Sequence, residues 1–534
     1  MHGKAGFPDV TKIFLHNFGK GVFMYTNILS GTMKGMEAAL IHVEVDASFG
    51  LPVFDIVGNM SGEVKEARER VRIALKNIGM QVPNLRLTVN LSPAQIRKEG
   101  TAFDLPIAVG VLTATESLSV ENLDDTLLIG ELGLNGEIKG VQGVLPIVKY
   151  AMECGLKRVI VPEENVKEGA FIQGIEVYGV SNLNQVLDIL MGVDGLKPYQ
   201  MDVESIFAEE SIKSTYDFKD VQGQYMARRA SEIAAAGFHH LLMIGPPGAG
   251  KTMIARRIPG ILPPLSMEES MEISSVYSVA GKLDGRRPFI TRRPFLYPHH
   301  TTSERAMVGG GKVPKPGIIS LAHRAVLFLD ELPEFPRGVL EVLRQPMEDK
   351  VVQIARSQAV YTYPANFMLV AAGNPCPCGY FQDRNKCRCT EQEIQKYLGK
   401  ISGPILDRMD LCCEMSAVNI EELRADESGE DSMTIRNRVL EAWEIQKKRF
   451  AGTDYHFNAD MRPQDVKKYC VLEPEAEVTL QKLFKKLSLS ARSYHRLLKV
   501  GRTIADLEQC EKIEDRHLKE AACYRINLLK GMDV

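Results

Sequence analysis

The chain has 534 residues, 25% charged and 45% hydrophobic, with a formal net charge of −3 at pH 7. That length and balance predict a globular protein of three or four domains and exclude a polycation, so any nucleic-acid contact must come from local patches. No apolar run reaches the roughly 18 residues of a membrane span, the N-terminus lacks a signal-peptide apolar stretch, and the ten cysteines are not spaced as a secreted disulfide framework, so we expect a cytoplasmic protein with no membrane partner.

Residues 1–23 fit no element and are expected to form a weakly ordered extension. Residues 24–194 alternate strands and helices. ALIHVEVDA alternates apolar and polar residues as a half-buried strand does. GEVKEARERVRIALKNIG predicts a helix, with Val64, Ala67, Val71, Ala74 and Ile78 on one face and Gly79 at the stop. LRLTVNL reads as a strand, TAFDLPIAVGVLTA as a buried helix, and LPIVKYAMECGLKRVIVPEEN as a helix, a turn at Gly155 and a strand. Residues 195–221 turn polar and read as a linker. Residues 222–417 form a second α/β unit, with strands at LLMIG, AVLFLD and FMLVAAGN, and residues 418–534 read as charged helices.

The second unit carries the chemistry. GPPGAGKT (Gly245, Pro246, Pro247, Gly248, Ala249, Gly250, Lys251 and Thr252) follows an apolar strand and opens a helix. Glycines there let backbone N–H groups surround phosphate oxygens at a helix N-terminus. Lys251 is expected on the β- and γ-phosphates and Thr252 on Mg²⁺. AVLFLDEL predicts a buried parallel strand whose tip presents Asp330 for Mg²⁺ and Glu331 for the attacking water. Phosphoryl transfer also needs a group that senses the γ-phosphate and a cation that reaches it. Asn374, ending FMLVAAGN, suits the first role. Arg408 in GPILDRMDL, supplied by a neighbouring subunit, suits the second. Arg492 in SLSARSYHR is placed to close over the nucleotide, with Arg496 one turn later as its backup.

Directly after Asn374, Cys376, Cys378, Cys387 and Cys389 make C-x-C-x8-C-x-C. Two close pairs suit tetrahedral Zn²⁺, and reduced, unliganded thiols are the alternative in a reducing compartment. VVQIARSQAVYTYPANF reads as a β-hairpin turning near Ser357-Gln358. With PHHTTSERAMVGGGKVPKPG it offers Arg356, Lys312 and Lys315 to a phosphate backbone. His299 and His300 read as loop-packing or substrate-contact residues rather than metal ligands. The basic residues Lys482, Lys485, Lys486, Arg492, Arg496, Lys499 and Arg502 read mostly as a solvated helical face.

The strings VNLSPAQIRKEGTAFDLPIAVGVL, GPPGAGKT, PFLYPHHTTSERAMVGGG, AVLFLDELPEF, AAGNPCPCGY, KISGPILDRMDL and ARSYHRLLKVGRTIADL resemble the ComM/YifB family of magnesium-chelatase-like AAA+ ATPases. The resemblance implies a Lon-protease-like α/β N-terminal domain, an AAA+ P-loop core with a parallel sheet and a C-terminal α-helical lid. It implies a homo-oligomeric ring, most simply a hexamer, with Asn374, Arg408 and Arg492 as sensor 1, arginine finger and sensor 2. It also implies an ATP-driven motor on single-stranded or branched DNA, promoting branch migration; a magnesium-chelatase-type motor subunit or a protein-remodelling ATPase is the alternative. The chelatase partner's D-x-S-x-S motif is absent from this sequence. Set against the Ser–Lys dyad of Lon-type peptidases, the N-terminal domain has Ala102 and Leu145, which supply neither nucleophile nor base, so we expect no peptidase activity.

Overall fold

The computed structural model describes residues 24–80, 82–118, 123–193, 195–210, 216–356, 359–381, 383, 385–417, 429–487 and 489–525. The extension expected at 1–23 and the hairpin turn at 357–358 lie outside them. The chain divides into two compact units, Met1–Met201 with Leu283–Pro288, and Asp202–Lys282 with Phe289–Val534.

Among the described residues, the first unit is built on nine strands. They are β1 (Met24–Lys34), β2 (Glu37–Ser48), β3 (Val53–Val57), β4 (Arg86–Ser92), β5 (Thr126–Leu128), β6 (Glu131–Leu132), β7 (Ile138–Lys139), β8 (Arg158–Pro162) and β9 (Glu176–Val180). Seven of them form one mixed sheet in the order β3-β4-β2-β1-β5-β8-β9, and β6 pairs with β7. The alternation read in the sequence is met, since Ile41, Val43, Val45 and Ala47 are all buried. The Gly62–Asn77 helix buries Val64, Ala67, Val71, Ala74 and Leu75. Ile78 caps it, and Gly79 takes a φ of +85° as the chain turns away. The Asp104–Ala114 helix buries ten of its eleven residues, as a helix apolar on every side must. Its first residue, Asp104, is balanced by Arg70, whose Nε and Nη2 donate at 2.6 and 2.8 Å.

The second unit holds a five-stranded sheet in the order β11-β14-β17-β10-β18, parallel throughout. Its strands are β10 (Leu241–Ile244), β11 (Phe295–Leu296), β14 (Val326–Leu329), β17 (Met368–Gly373) and β18 (Leu411–Glu414). Every residue of β10, β14 and β17 is buried, which is why these strands read as unbroken apolar runs. Two small antiparallel hairpins stand outside the sheet, β12 (Gly309–Gly310) with β13 (Lys315–Pro316), and β15 (Val351–Ala355) with β16 (Val360–Pro364). The stretch expected as a linker contains a helix at Val203–Glu210 and a short turn of helix at Phe218–Asp220.

Helices Ser432–Arg449, Pro474–Lys486, Ala491–Leu507 and Asp515–Cys523 follow and share one apolar core with the sheet. Here the solvated-face reading is corrected for three residues. Arg502 is 1% exposed and donates to Asp506 and to the carbonyls of Cys510 and Glu511. Lys499 donates to the Ala459 carbonyl at 3.0 Å. Arg496 faces Asp410 at 3.7 Å. A charge is stable inside when its partners are fixed; those of Arg496 and Lys499 lie far along the chain, and Arg502, though its partners are local, is covered together with the fully buried Asp506, which helical spacing alone does not reveal. Among the described residues, no helix is long and apolar enough to cross a membrane.

Candidate active site at the carboxyl ends of the parallel strands

Strands β10, β14 and β17 are neighbours, so their C-terminal ends deliver Gly245, Asp330 and Asn374 to one edge. Open parallel sheets bind ligands at that edge. The loop after β10 turns through Gly248 and Gly250, with φ of +79° and +89°, a region side chains disfavour, and Gly250 caps the Lys251–Ala255 helix.

Lys251 is buried and reaches back over its own loop. Its Nζ donates to the carbonyls of Gly245 (2.5 Å) and Pro246 (2.9 Å) and to Asn374 Oδ1 (3.1 Å). Burial lowers its pKa, while the nearby Asp330 and Glu331 carboxylates oppose that. The Thr252 hydroxyl donates to Asp330 Oδ2 at 2.6 Å. Phosphate-loop lysine, hydroxyl, acid and amide, drawn from positions 123 residues apart at most, therefore form one connected set.

Glu331 takes a left-handed backbone, φ 53° and ψ 45°, so the chain turns sharply between the two acids. Its backbone N–H donates to Asp330 Oδ1 at 3.0 Å. The side chains then answer to different neighbours. Tyr297 donates its hydroxyl to Asp330 Oδ2 at 3.2 Å, and His300 Nδ1 lies 3.1 Å from Glu331 Oε2. Sequence reasoning missed both contacts. The two residues follow the edge strand β11, which is only two residues long and leaves no periodic trace. The His299 and His300 rings lie against each other, tilted by 33° with centroids 4.1 Å apart.

Arg408 and Arg492 are brought together, but at a different place. Both are ion-paired with Glu348, Arg408 on Oε2 and Arg492 on Oε1. Arg408 also donates to the Pro404 carbonyl at 2.7 Å. Among the described residues, neither makes a hydrogen bond or ion pair with Lys251, Thr252, Asp330 or Asn374. Arg496, the backup for Arg492, is held instead by Asp410, which also accepts from the His240 backbone N–H at 3.0 Å.

The four cysteines converge. All four Sγ atoms lie within 4.8 Å of one another, with Cys376–Cys378 at 3.3 Å, Cys378–Cys387 at 3.6 Å and Cys376–Cys387 at 3.8 Å. A tetrahedron of Zn–S bonds of about 2.3 Å has S···S edges of roughly 3.8 Å, so the set fits zinc. The backbone N–H of Tyr380 draws the Cys378 thiol down to about 6. The loop also touches the phosphate loop: a Cβ on Gly379, at φ +84°, would sit 2.5 Å from Pro247 Cδ. A second group, Glu508, Cys510 and His517, does not fit a metal. His517 Nδ1 accepts the Glu514 N–H, which leaves Nε2 carrying the proton toward Glu508.

Comparison with known proteins gives the family. Residues 217–423 match the family model for magnesium chelatase subunit ChlI, residues 43–165 a second ChlI model, and residues 429–525 the ChlI C-terminal model. YifB of Salmonella typhimurium is 44% identical over 92% of this chain and 95% of its own. The competence protein ComM of Haemophilus influenzae is 42% identical over 93% of this chain and 97% of its own. This chain belongs to the ComM/YifB family of magnesium-chelatase-like AAA+ ATPases.

Membership makes ATP and Mg²⁺ the implied ligands, and the residues present fit them. The loop carries a buried lysine, and the Thr252 hydroxyl and Asp330 carboxylate form a hard-oxygen pair of the type Mg²⁺ takes. Lon protease 2 of Bacillus subtilis is 27% identical over 30% of this ComM/YifB-family chain. In the N-terminal unit, Leu145 is fully buried, and its backbone N–H donates to Glu168.

Proposed function

We propose that this AAA+ ATPase assembles as a homo-oligomeric ring, most simply a hexamer, and uses ATP hydrolysis to drive branch migration on single-stranded or branched DNA. The observation that carries the ATPase part is the connected set Lys251–Asn374 and Thr252–Asp330 at adjacent strand ends. Lys251 and the loop N–H groups bind the phosphates, and Thr252 and Asp330 hold Mg²⁺. The ion, when bound, neutralises charge that develops on the phosphate oxygens. Glu331 orients the attacking water, and Asn374 reports the γ-phosphate to Lys251. Arg408, set apart from its own chain's phosphate loop, acts as the arginine finger on the nucleotide of a neighbouring subunit, and Arg492 closes over the nucleotide as sensor 2. Zinc in the Cys376–Cys389 loop is structural.

The DNA part rests on the two hairpins outside the sheet. Arg356 donates to the Gly311 carbonyl at 3.3 Å, which brings it beside Lys312 and Lys315, all three exposed. The Tyr363 hydroxyl fastens the hairpins together through the Pro314 carbonyl at 2.5 Å. Such a basic ridge tracks a phosphate backbone. The similarity to a competence protein supports the same reading.

The test is the ATP hydrolysis rate with single-stranded, duplex and four-way-junction DNA. Single-stranded or branched DNA should stimulate it, and Glu331→Gln should bind ATP, stay assembled and hydrolyse very little. A chain that binds no DNA at low salt would not be this motor. Metal analysis of the purified protein should find one zinc per chain; none, in folded protein, assigns the four thiols as unliganded.

A further inference from the structure

In the first unit, the seven-stranded sheet ends on β3 at one side and on β9 at the other. An apolar patch is exposed at each end. At the β3 end, Phe54 and Ile56 pack on the core, which turns Val53, Asp55 and Val57 outward. A solvated edge strand is ordinarily protected by charge, and here two of the three outward residues are valines. The loop before it adds Phe49 and Leu51, 69% and 84% exposed. That loop lies against the start of β4: a Cβ on Gly50 would sit 3.8 Å from Arg86 Cβ, and Arg86 is the register partner of Val53. Among the described residues, no strand pairs with the outer edge of β3.

At the β9 end, the Leu183–Leu190 helix runs out into Met191 and Val193, and the chain returns through Leu196 and Tyr199, all four exposed. The Tyr199 backbone N–H donates to the Val177 carbonyl at 2.8 Å, which lays this return along β9. Both rims are charged. Arg86 and Asp55 border the first patch, and Asp188 and Lys197 the second. Among the described residues, none of these four side chains makes a hydrogen bond or an ion pair. Six strand spacings of about 4.8 Å put the two ends roughly 29 Å apart, so neither patch of a chain covers the other.

We propose that the two patches are the halves of one contact between copies of this chain, with the β9 end of one copy seated on the β3 end of the next. Aliphatic and aromatic side chains meet at its centre. On its rim, Arg86 meets Asp188 of the partner subunit, and Asp55 meets Lys197 of the partner subunit, so each unpaired charge finds its opposite. Two apolar patches rimmed in this complementary way select a second copy over an unrelated partner. Unlike surfaces that fit each other repeat head to tail, and such a contact closes into a ring. This contact rests on the ring reading above and names the surfaces that the first unit supplies to it.

The full chain is followed by light scattering over a concentration series, with Mg²⁺ and a non-hydrolysable ATP analogue. Leu51→Glu and Val193→Glu should each raise the concentration at which the assembly forms by at least tenfold. Mixed together, the two variants should give a species of two chains where either alone is monomeric, because each retains the patch that the other has lost. A misfolded chain gives no such complementation. Arg86→Glu should weaken assembly, and Arg86→Glu/Asp188→Arg should restore it. Assembly unchanged by Leu51→Glu and Val193→Glu, a mixture that stays monomeric, or a charge swap without rescue overturns the proposal, while assembly of the unmodified chain leaves the ring reading intact. An unmodified chain that stays monomeric fails the ring reading and this contact with it.

Discussion

Replacing Glu348 with Gln tests whether the two arginines work as a unit. The carboxylate holds Arg408 and Arg492 on separate oxygens, and both guanidinium groups pull its pKa down against the opposing effect of burial. The Arg408 side chain is only 7% exposed, whereas Glu348 is 37% exposed. Removing one partner of a fully buried pair costs about 3–5 kcal/mol, and an exposed pair is worth about 0–1 kcal/mol. For this intermediate case about 1–2 kcal/mol is the expected size, or roughly 5- to 30-fold in an equilibrium or a rate. Arg492 is half exposed and adds little to that figure. If Glu348 pre-orients Arg408 for a neighbour's nucleotide, this energy appears in the transition state. Glu348→Gln should then lower kcat for ATP by about 5- to 30-fold, with KM little changed. The double variant Glu348→Gln/Arg408→Ala should be no slower than Arg408→Ala alone, because the glutamate acts through the arginine. The assay is steady-state hydrolysis by assembled protein at saturating ATP. A folded Glu348→Gln protein with unchanged kcat, or effects that simply multiply in the double variant, would refute the reasoning.

Asn374→Ala removes one of the three acceptors around the Lys251 ammonium; a hydrogen bond to a charged group is worth about 1.5–3 kcal/mol, so hydrolysis should fall by about 10- to 150-fold, and unchanged turnover would remove Asn374 from the site. Burial works to raise the Asp460 carboxyl, but Lys350 beside it prevails and holds it at about 2 against an ordinary 3.8. The folded form binds this proton less tightly than the unfolded one, so the contribution is complete above pH 3.8 and disappears as pH falls through about 2. Asp460→Asn should therefore cost about 2 kcal/mol in urea unfolding near neutrality and almost nothing near pH 2, whereas a pH-independent difference would reject this account. On the zinc reading proposed for the thiol loop, Cys387→Ser should abolish zinc binding and lower thermal stability while leaving the Lys251 and Asp330 chemistry in place; full zinc content in that variant would exclude Cys387 as a ligand. Casein offered with ATP should remain uncleaved, and ATP-dependent cleavage would show that the N-terminal unit has a nucleophile other than the missing one at Ala102.

The parts of the site legible in the sequence are those whose partners are contiguous or whose strand is fully buried. GPPGAGKT is one unbroken loop, and the acids of AVLFLDEL end a strand with no polar residue inside it, so position along the chain already implied position in space. The Gly62–Asn77 helix was legible for the same reason, through its 3.6-residue spacing. Tyr297, His300 and Glu348 were not. Two follow a two-residue strand, the third lies in the last turn of a six-residue helix, and their significance comes from groups 31 to 144 positions away. Lys499 and Arg502 were misread because a cation on a helix counts as surface until its buried partner is known. The cysteine cluster lay between these cases: its spacing showed that the thiols could meet, but not that their loop lies against Pro247.

That last contact changes how reagents would act on the enzyme. Gly379 and Pro247 belong to loops 132 positions apart, yet the gap between them is smaller than a methyl group. Anything that swells or opens the thiol loop pushes on the wall of the phosphate loop. Alkylating agents, oxidants and chelators are therefore expected to inhibit hydrolysis in an ATPase that uses no cysteine for its chemistry, with bound nucleotide slowing the modification. A cysteine found by such inhibition would mark the frame around the phosphates and not the machinery that cleaves them.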